Sequence, residues 1–260
     1  LKMLHGKAVR QLGTSGGGNH FVEFGEIELI DNNVLGLPAG SYTALLSHSG
    51  SRGMGAAIAK HYSDIAREVC KLPREAQHFA WLDLSTEAGQ EYWMSMNLAG
   101  DFAQACHERI AINLSKALGL RTIANVSNHH NFAWREEIAP DRYAIVHRKG
   151  ATPAGKGQAG LIPGSMATPG DLVCGKGVAE SLNSASHGSG RAMSRQKAKE
   201  QFTQSALKKM LTQAGVTLIG GSVEEVPLAY KDIDRIMSAQ EALVDVHGKF
   251  MPRIVRMNKD

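Results

Sequence analysis

Ser186-His187-Gly188-Ser189-Gly190-Arg191-Ala192-Met193-Ser194-Arg195 sets one histidine among small residues and follows it with two permanent cations. Glycine and serine let backbone N–H groups approach phosphate oxygens without an intervening side chain, and guanidinium forks hold such oxygens bidentately. A histidine in that setting suits attack on phosphorus, so His187 is the candidate nucleophile, with Arg191 beside it to hold phosphate. Ser194 has the side chain of a helix N-cap, and the spacing predicts a helix from Arg195 to about Leu211. The start of that helix, with Arg191 and Arg195, favours a bound anion.

Outward from this loop, the chain alternates strand and helix patterns. Residues 21–29 alternate apolar and polar and predict a strand; 42–47 predict a second, more buried one. His20 precedes the first and His48 follows the second, so rigid elements present both rings. Helical spacing of apolar residues predicts helices over 55–69 and about 91–118. Residues 143–147 predict a strand that delivers Arg148 and Lys149 into the loop containing Gly150, and Leu161-Ile162 runs into the turn Pro163-Gly164-Ser165-Met166. Mixed strands and helices of this kind predict an α+β fold.

The 260 residues are 43% hydrophobic, enough for a buried core, and the formal net charge of +4 fits an anionic partner. Cys70, Cys106 and Cys174 lie far apart, without the paired spacing of a zinc module or the density of a disulfide scaffold, so a reducing, cytoplasmic setting is expected. No apolar run approaches the ~18 residues of a membrane span. With no repeat or linker, residues 1–260 read as a single domain. The chain enters its glycine-rich loop at Gly13 with no element ahead of it, which gives the expectation that an N-terminal part is missing.

The same mixture of residue types recurs in four segments, namely Gly16-Gly17-Gly18-Asn19-His20, Ser47-His48-Ser49-Gly50-Ser51-Arg52-Gly53, Asn128-His129-His130-Asn131, and the segment around His187. Each puts histidine beside amides or anion-binding groups. Neutral imidazole is the commonest protein ligand for divalent transition metals, and asparagine amides or glycine N–H groups can orient a phosphate bridging to the ion. The combination predicts metal-assisted phosphoryl transfer. His5, His61, His78, His107 and His247 read as packing or surface residues, while His129 and His147 stay open as partners fixing a neighbour's tautomer.

Seven ordered motifs, GGGNHFVE (16–23), HSGSRGMG (48–55), NHHN (128–131), RKGAT (148–152), IPGSM (162–166), SHGSGRAMSR (186–195) and PLAYKDID (227–234), resemble the tRNA-splicing ligase RtcB family over nearly the whole chain. The resemblance implies an RtcB-like α+β fold, with mixed strands around a central metal and nucleotide cleft and helices outside. It implies a GTP- and manganese-dependent ligase joining RNA 3′-phosphate or 2′,3′-cyclic phosphate ends to 5′-hydroxyl ends through a guanylated His187. On the matching positions, His20, His48 and His130 are the implied ligands of two manganese ions. Asn19, Glu23, Asn131, Pro163, Gly164, Ser165, Met166, Gly188, Ser189, Gly190 and Lys259 are implied to bind GTP, with Arg52, Lys149 and Arg191 on phosphates.

The chain departs from the family pattern in three places. The aspartate and cysteine that the family supplies upstream of the glycine loop are absent from this sequence. A serine usual after IPGSM is replaced within Ala167-Thr168-Pro169-Gly170-Asp171, and the usual alanine after His-Gly is Ser189, a small change expected to leave the backbone cradle intact. Two other readings of the same residues are a metal-dependent phosphoesterase and a nucleotide- or RNA-binding module without catalysis.

Overall fold

The computed structural model describes residues 2–258; Lys259 lies outside them. They form two compact units, each made from two stretches of chain: residues up to Gly16 with His48–Leu120, and Gly17–Ser47 with residues from Arg121 on.

The first unit is helical, with α1 (His5–Gln11), α2 (Arg52–Val69) and α3 (Glu87–Leu118). Both long helices lie where the apolar spacing predicts them and begin slightly earlier. For α3 the reason is Thr86, whose hydroxyl accepts the Gly89 N–H at 3.2 Å and caps the first turn. Gly119, left-handed at φ 65°, ends it, and the Leu120 N–H returns to the Ser115 carbonyl at 2.9 Å. Met54, Ile58 and Tyr62 recur at four-residue intervals on α2 and pack with Ala99 of α3.

The second unit is built on a six-stranded sheet. Its strands are β1 (Phe21–Leu29), β2 (Gly40–His48), β6 (Ala159–Ile162), β7 (Gly170–Gly175), β9 (Thr217–Ile219) and β10 (Val244–Met257); two-stranded pairs are formed by β3 (Phe132–Ala139) with β4 (Arg142–Arg148), and by β5 (Ala151–Pro153) with β8 (Ser184–Ser186). The order is β2-β1-β10-β7-β6, with β9 also on β10. Strand β10 organises the sheet. One edge pairs with β1 along its length, and the other pairs first with β7, antiparallel, and then with β9, parallel. Pro252, which has no N–H to give, falls in the interval between those two partners, opposite Gly25 and beside a bulge that leaves Arg253 out of the β1 register. A side chain at Gly25 would meet the Met251 carbonyl at 2.0 Å, so only glycine passes there. The helices α4 (Arg195–Gln201), α5 (Gln204–Gln213) and α6 (Ile233–Ala239) complete the unit. The architecture is α+β, as the sequence predicts.

Two local expectations are corrected. The single helix expected from Arg195 to about Leu211 is two, because Phe202 turns to an extended conformation, packs against the core of Leu207, Leu211 and Val255, and leaves Thr203 to cap the next helix through the Ala206 N–H. The Ser194 cap itself is present, accepting the Lys197 N–H at 3.1 Å. Arg148 is not in a loop; it ends β4 and is buried. Among the described residues no helix is long and apolar enough to cross a membrane.

Asp171 breaks the apolar pattern of β7. Alternation puts it on the face of Val173, which packs with Ile162 and Ile233; it is 1% exposed, and neither carboxylate oxygen has a hydrogen-bond partner among the described residues. Burial raises its pKa; the Lys249 ammonium opposes that shift and the Asp234 carboxylate adds to it. A buried carboxylate without donors is a net cost, so Asp171→Asn is expected to stabilise the fold by about 1–2 kcal/mol at neutral pH. Urea denaturation of both proteins measures this, and an unchanged or lower midpoint for the variant would show that Asp171 has a compensating partner.

Candidate functional site

Within the second unit, three of the four histidine segments are described together with the loops around them. The backbone of Gly150 joins two of these segments. Its N–H donates to the Asn131 side-chain oxygen at 2.9 Å, and its carbonyl accepts the His187 N–H at 3.3 Å. Pairing of β5 with β8 brings Ala151 opposite Ser186 and so carries His187 to this point. The rings of His130 and His187 lie 5.2 Å apart between centroids, inclined by 45°. Asn128 fixes the run before His130, donating to the Thr152 hydroxyl at 2.7 Å and accepting the Leu161 N–H at 3.3 Å.

Burial lowers the pKa of His187, and the exposed Lys149 lowers it further; the Gly150 backbone opposes both. The ring is therefore neutral at pH 7, the state in which a nitrogen lone pair is available. Its Nδ1 is enclosed, with no hydrogen-bond partner among the described residues.

Two loops are stitched face to face beside this histidine. Thr168 folds back on Ser165, accepting its N–H at 2.7 Å, which shapes the turn after Pro163. The Ser189 N–H donates to the Pro163 carbonyl at 3.1 Å and the Ser189 hydroxyl to the Gly164 carbonyl at 3.2 Å. A side chain at Gly164 would meet the Pro169 carbonyl at 2.2 Å, so the close approach needs glycine. Met166 is buried and anchors the turn in the core, while Gly188 and Gly190 flank the buried Ser189. The predicted residues Pro163, Gly164, Ser165, Met166, Gly188, Ser189 and Gly190 thus form one backbone-rich surface. Ser189 adds a bond that an alanine there would lack.

Arg191 and Arg195 are already engaged. Glu225, 4% exposed, accepts from Arg191 Nη1 at 3.1 Å, Arg195 Nε at 3.0 Å and the Tyr230 hydroxyl. Arg191 also donates to the carbonyls of Met193 and Glu224 and lies 5.2 Å over the Tyr230 ring. Burial, then Glu225, raises the Tyr230 pKa. Sequence reasoning missed Glu225 because nothing local marks an acidic residue thirty positions away as the partner of both arginines.

At the other predicted positions, His20 immediately precedes β1, Asn19 is exposed, and Glu23 on β1 is buried, its pKa pushed up to about 8 by burial. In the helical unit, the Ser49 hydroxyl after His48 donates to the carbonyls of Thr14 (3.1 Å) and Ser15 (2.7 Å), and the Ser49 N–H donates to His107 Nε2 at 2.9 Å. His107, read from sequence as packing, therefore orients the backbone next to His48. Arg52, left-handed at φ 54°, opens α2 and donates to the Thr14 hydroxyl at 3.1 Å.

Among the described residues, no group of three or more His, Cys, Asp or Glu side chains stands together in a way that could hold a metal ion. The adjacent rings of His130 and His187 are two donors, short of the three or four protein ligands usual for a transition-metal site. That pair alone does not make a resident metal site.

The fold and loops define a class: an α+β protein in which a half-buried, neutral histidine lies beside two glycine-containing loops stitched together through Ser189. The chain belongs to the tRNA-splicing ligase RtcB family, whose model matches residues 2–258. It is 32% identical to the RNA-splicing ligase RtcB of Escherichia coli (strain K12) over 94% of this chain and 60% of that protein. It is also 32% identical to the tRNA-splicing ligase RtcB of Nanoarchaeum equitans (90% and 56%) and 30% identical to that of Thermococcus kodakarensis (87% and 55%). The chain thus spans between 55% and 60% of the length of these three relatives.

Two expected outcomes follow from this geometry. Ser189→Ala removes the hydroxyl bond to Gly164 and is expected to cost about 1 kcal/mol, seen as a lower urea midpoint with an unchanged slope; no change would show that the bond contributes nothing. For Glu23 the folded pKa, about 8, lies above the unfolded carboxyl value. Stability is then full at low pH and falls as pH rises from the unfolded value through about 8. Glu23→Gln is expected to flatten that decline, checked by thermal melts at pH 5, 7 and 9; parallel curves for the two proteins would refute the shifted carboxyl.

Proposed function

We propose that this chain carries the nucleotidyl-transfer part of a GTP-dependent RNA ligase, in which His187 attacks the α-phosphorus of GTP and pyrophosphate departs. The guanylate then passes to an RNA 3′-phosphate, or to one opened from a 2′,3′-cyclic phosphate, and a 5′-hydroxyl attacks that activated end and expels GMP. Covalent transfer of this kind turns a poor leaving group into a good one. The observation that carries the reading is the neutral, partly enclosed His187 ring beside two backbone-rich loops. With Nδ1 enclosed, Nε2 is the nitrogen offered to phosphorus.

The backbone of 163–166 and 188–190 would hold the nucleotide, with Asn19, Glu23, Asn131 and Lys259 as further GTP contacts and Lys149, Arg52 and Arg191 on phosphate. For Arg191 to do so it must share or leave Glu225. Manganese belongs to this proposal through His20, His48 and His130, the imidazoles that the family resemblance marks; bound there, it would neutralise phosphate charge. The substrates proposed are GTP and RNA ends, in tRNA splicing or RNA repair. A cytoplasmic setting goes with the reading, supported by three free thiols.

Incubation with [α-32P]GTP and manganese is expected to give a protein-bound label that is acid-labile, alkali-stable and lost in His187→Ala. Label that survives the substitution removes His187 from the chemistry. GTP or RNA binding without any label would favour the binding module instead.

A further inference from the structure

Arg148 is the most enclosed cation described, with a side chain 2% exposed, and the proposed chemistry gives it no task. Its two terminal nitrogens grip both oxygens of Glu136 at 2.7 and 2.8 Å. Nε donates to the Ser184 hydroxyl at 2.8 Å, Nη2 donates also to the Leu182 carbonyl at 2.8 Å, and the guanidinium lies 4.9 Å over the Trp134 ring. One planar group therefore binds β3, through Glu136 and Trp134, to the 182–184 segment, while its own backbone ends β4.

That segment is unusual. Leu182 and Asn183 are both left-handed, at φ 52° and 50°, a conformation that disfavours a leucine and persists only where the surroundings hold it. The Leu182 carbonyl that this conformation presents is the one Arg148 takes. Strand β8 starts at the next residue and leads straight to His187, whose N–H is held by Gly150, two residues after Arg148. The end of β4 thus anchors one short segment twice, by a side chain at 182–184 and by a carbonyl at 187.

The geometry points to Arg148 as a positioning residue that fixes His187 against the hairpin bearing Lys149 and the preceding His130, an assignment that rests on the ligase reading for its effect on rate. A lysine cannot replace it, because an ammonium lacks the planar fork that serves Glu136, Ser184 and Leu182 at once. A merely structural ion pair would predict loosening spread over the unit. A positioning role predicts loosening confined to the segment carrying the nucleophile, and a rate effect separate from nucleotide affinity.

The test uses Arg148→Lys with two readouts. Hydrogen exchange without nucleotide is expected to quicken in peptides covering 182–187 and to stay unchanged in 159–166. Guanylation is expected to slow by roughly tenfold to a hundredfold at saturating GTP, with the half-saturating concentration moved by less than about threefold. Exchange that is unchanged, or that rises evenly through the unit, overturns the assignment, as does a shift in half-saturation with no loss of rate. If the wild-type chain takes no label, the ligase reading fails, and the exchange pattern alone decides Arg148. Should Arg148→Lys not fold, Ser184→Ala removes one acceptor and is expected to give the same local pattern, smaller in size; no local change there overturns the proposal.

Discussion

The candidate site depends on the backbone of a single residue, Gly150. Gly150 gives its N–H to Asn131 and takes the N–H of His187 on its carbonyl, so two motifs more than fifty residues apart are held by two successive peptide planes that meet at one Cα. Gly150 is left-handed at φ 73°, and Asn131 at φ 54°; glycine and asparagine tolerate that region best. Only the φ and ψ of Gly150 lie between the two planes, so its backbone conformation sets how the two partners stand relative to each other. The backbone thus brings His130 and His187 close enough for their rings to lie 5.2 Å apart.

The same economy of side chains governs the neighbouring loops. Gly164 tolerates no Cβ because the Pro169 carbonyl occupies its place, and the two loops then meet through backbone and Ser189. A surface of this type is made of small residues and backbone, while charge is kept at one remove. Arg191 and Arg195 are gathered on Glu225 rather than spread over the loop. Glu224 also lies 3.8 Å from Arg195 and pairs with Lys199, so three cations meet two carboxylates and the group keeps a net positive charge.

Much of this was legible in the sequence, and the part that was not has a common cause. Strands over 21–29 and 143–147, the two long helices and the Ser194 cap follow from periodicity and capping, which are local properties. His187 beside glycine and serine was legible because backbone access requires small residues in sequence. The break at Phe202 was hidden because it depends on an apolar pocket made by Leu207, Leu211 and Val255, and tertiary packing there overrides helix propensity. Arg148 read as a loop cation because its partners, Glu136, Leu182 and Ser184, come from elsewhere in the chain. The Glu225 hub was invisible for the same reason.

Three buried carboxylates of the second unit show how environment divides identical chemistry. Glu225 is met by two guanidiniums and a phenol. Glu23 sits in the central sheet and burial alone pushes its pKa to about 8, which makes it a proton-bearing group near neutral pH that can donate as well as accept. Asp171 has the weakest case for being where it is, since its nearest cation, Lys249, is paired with Asp234 at 3.2 Å on the outside. A carboxyl that costs stability and holds no donor persists in a fold only if something other than stability retains it, or if nothing has selected against it. Its place directly after the turn that begins at Pro163, opposite Ile162 in the pairing of β6 with β7, puts that cost at the base of the loop whose Gly164 carbonyl accepts the Ser189 hydroxyl.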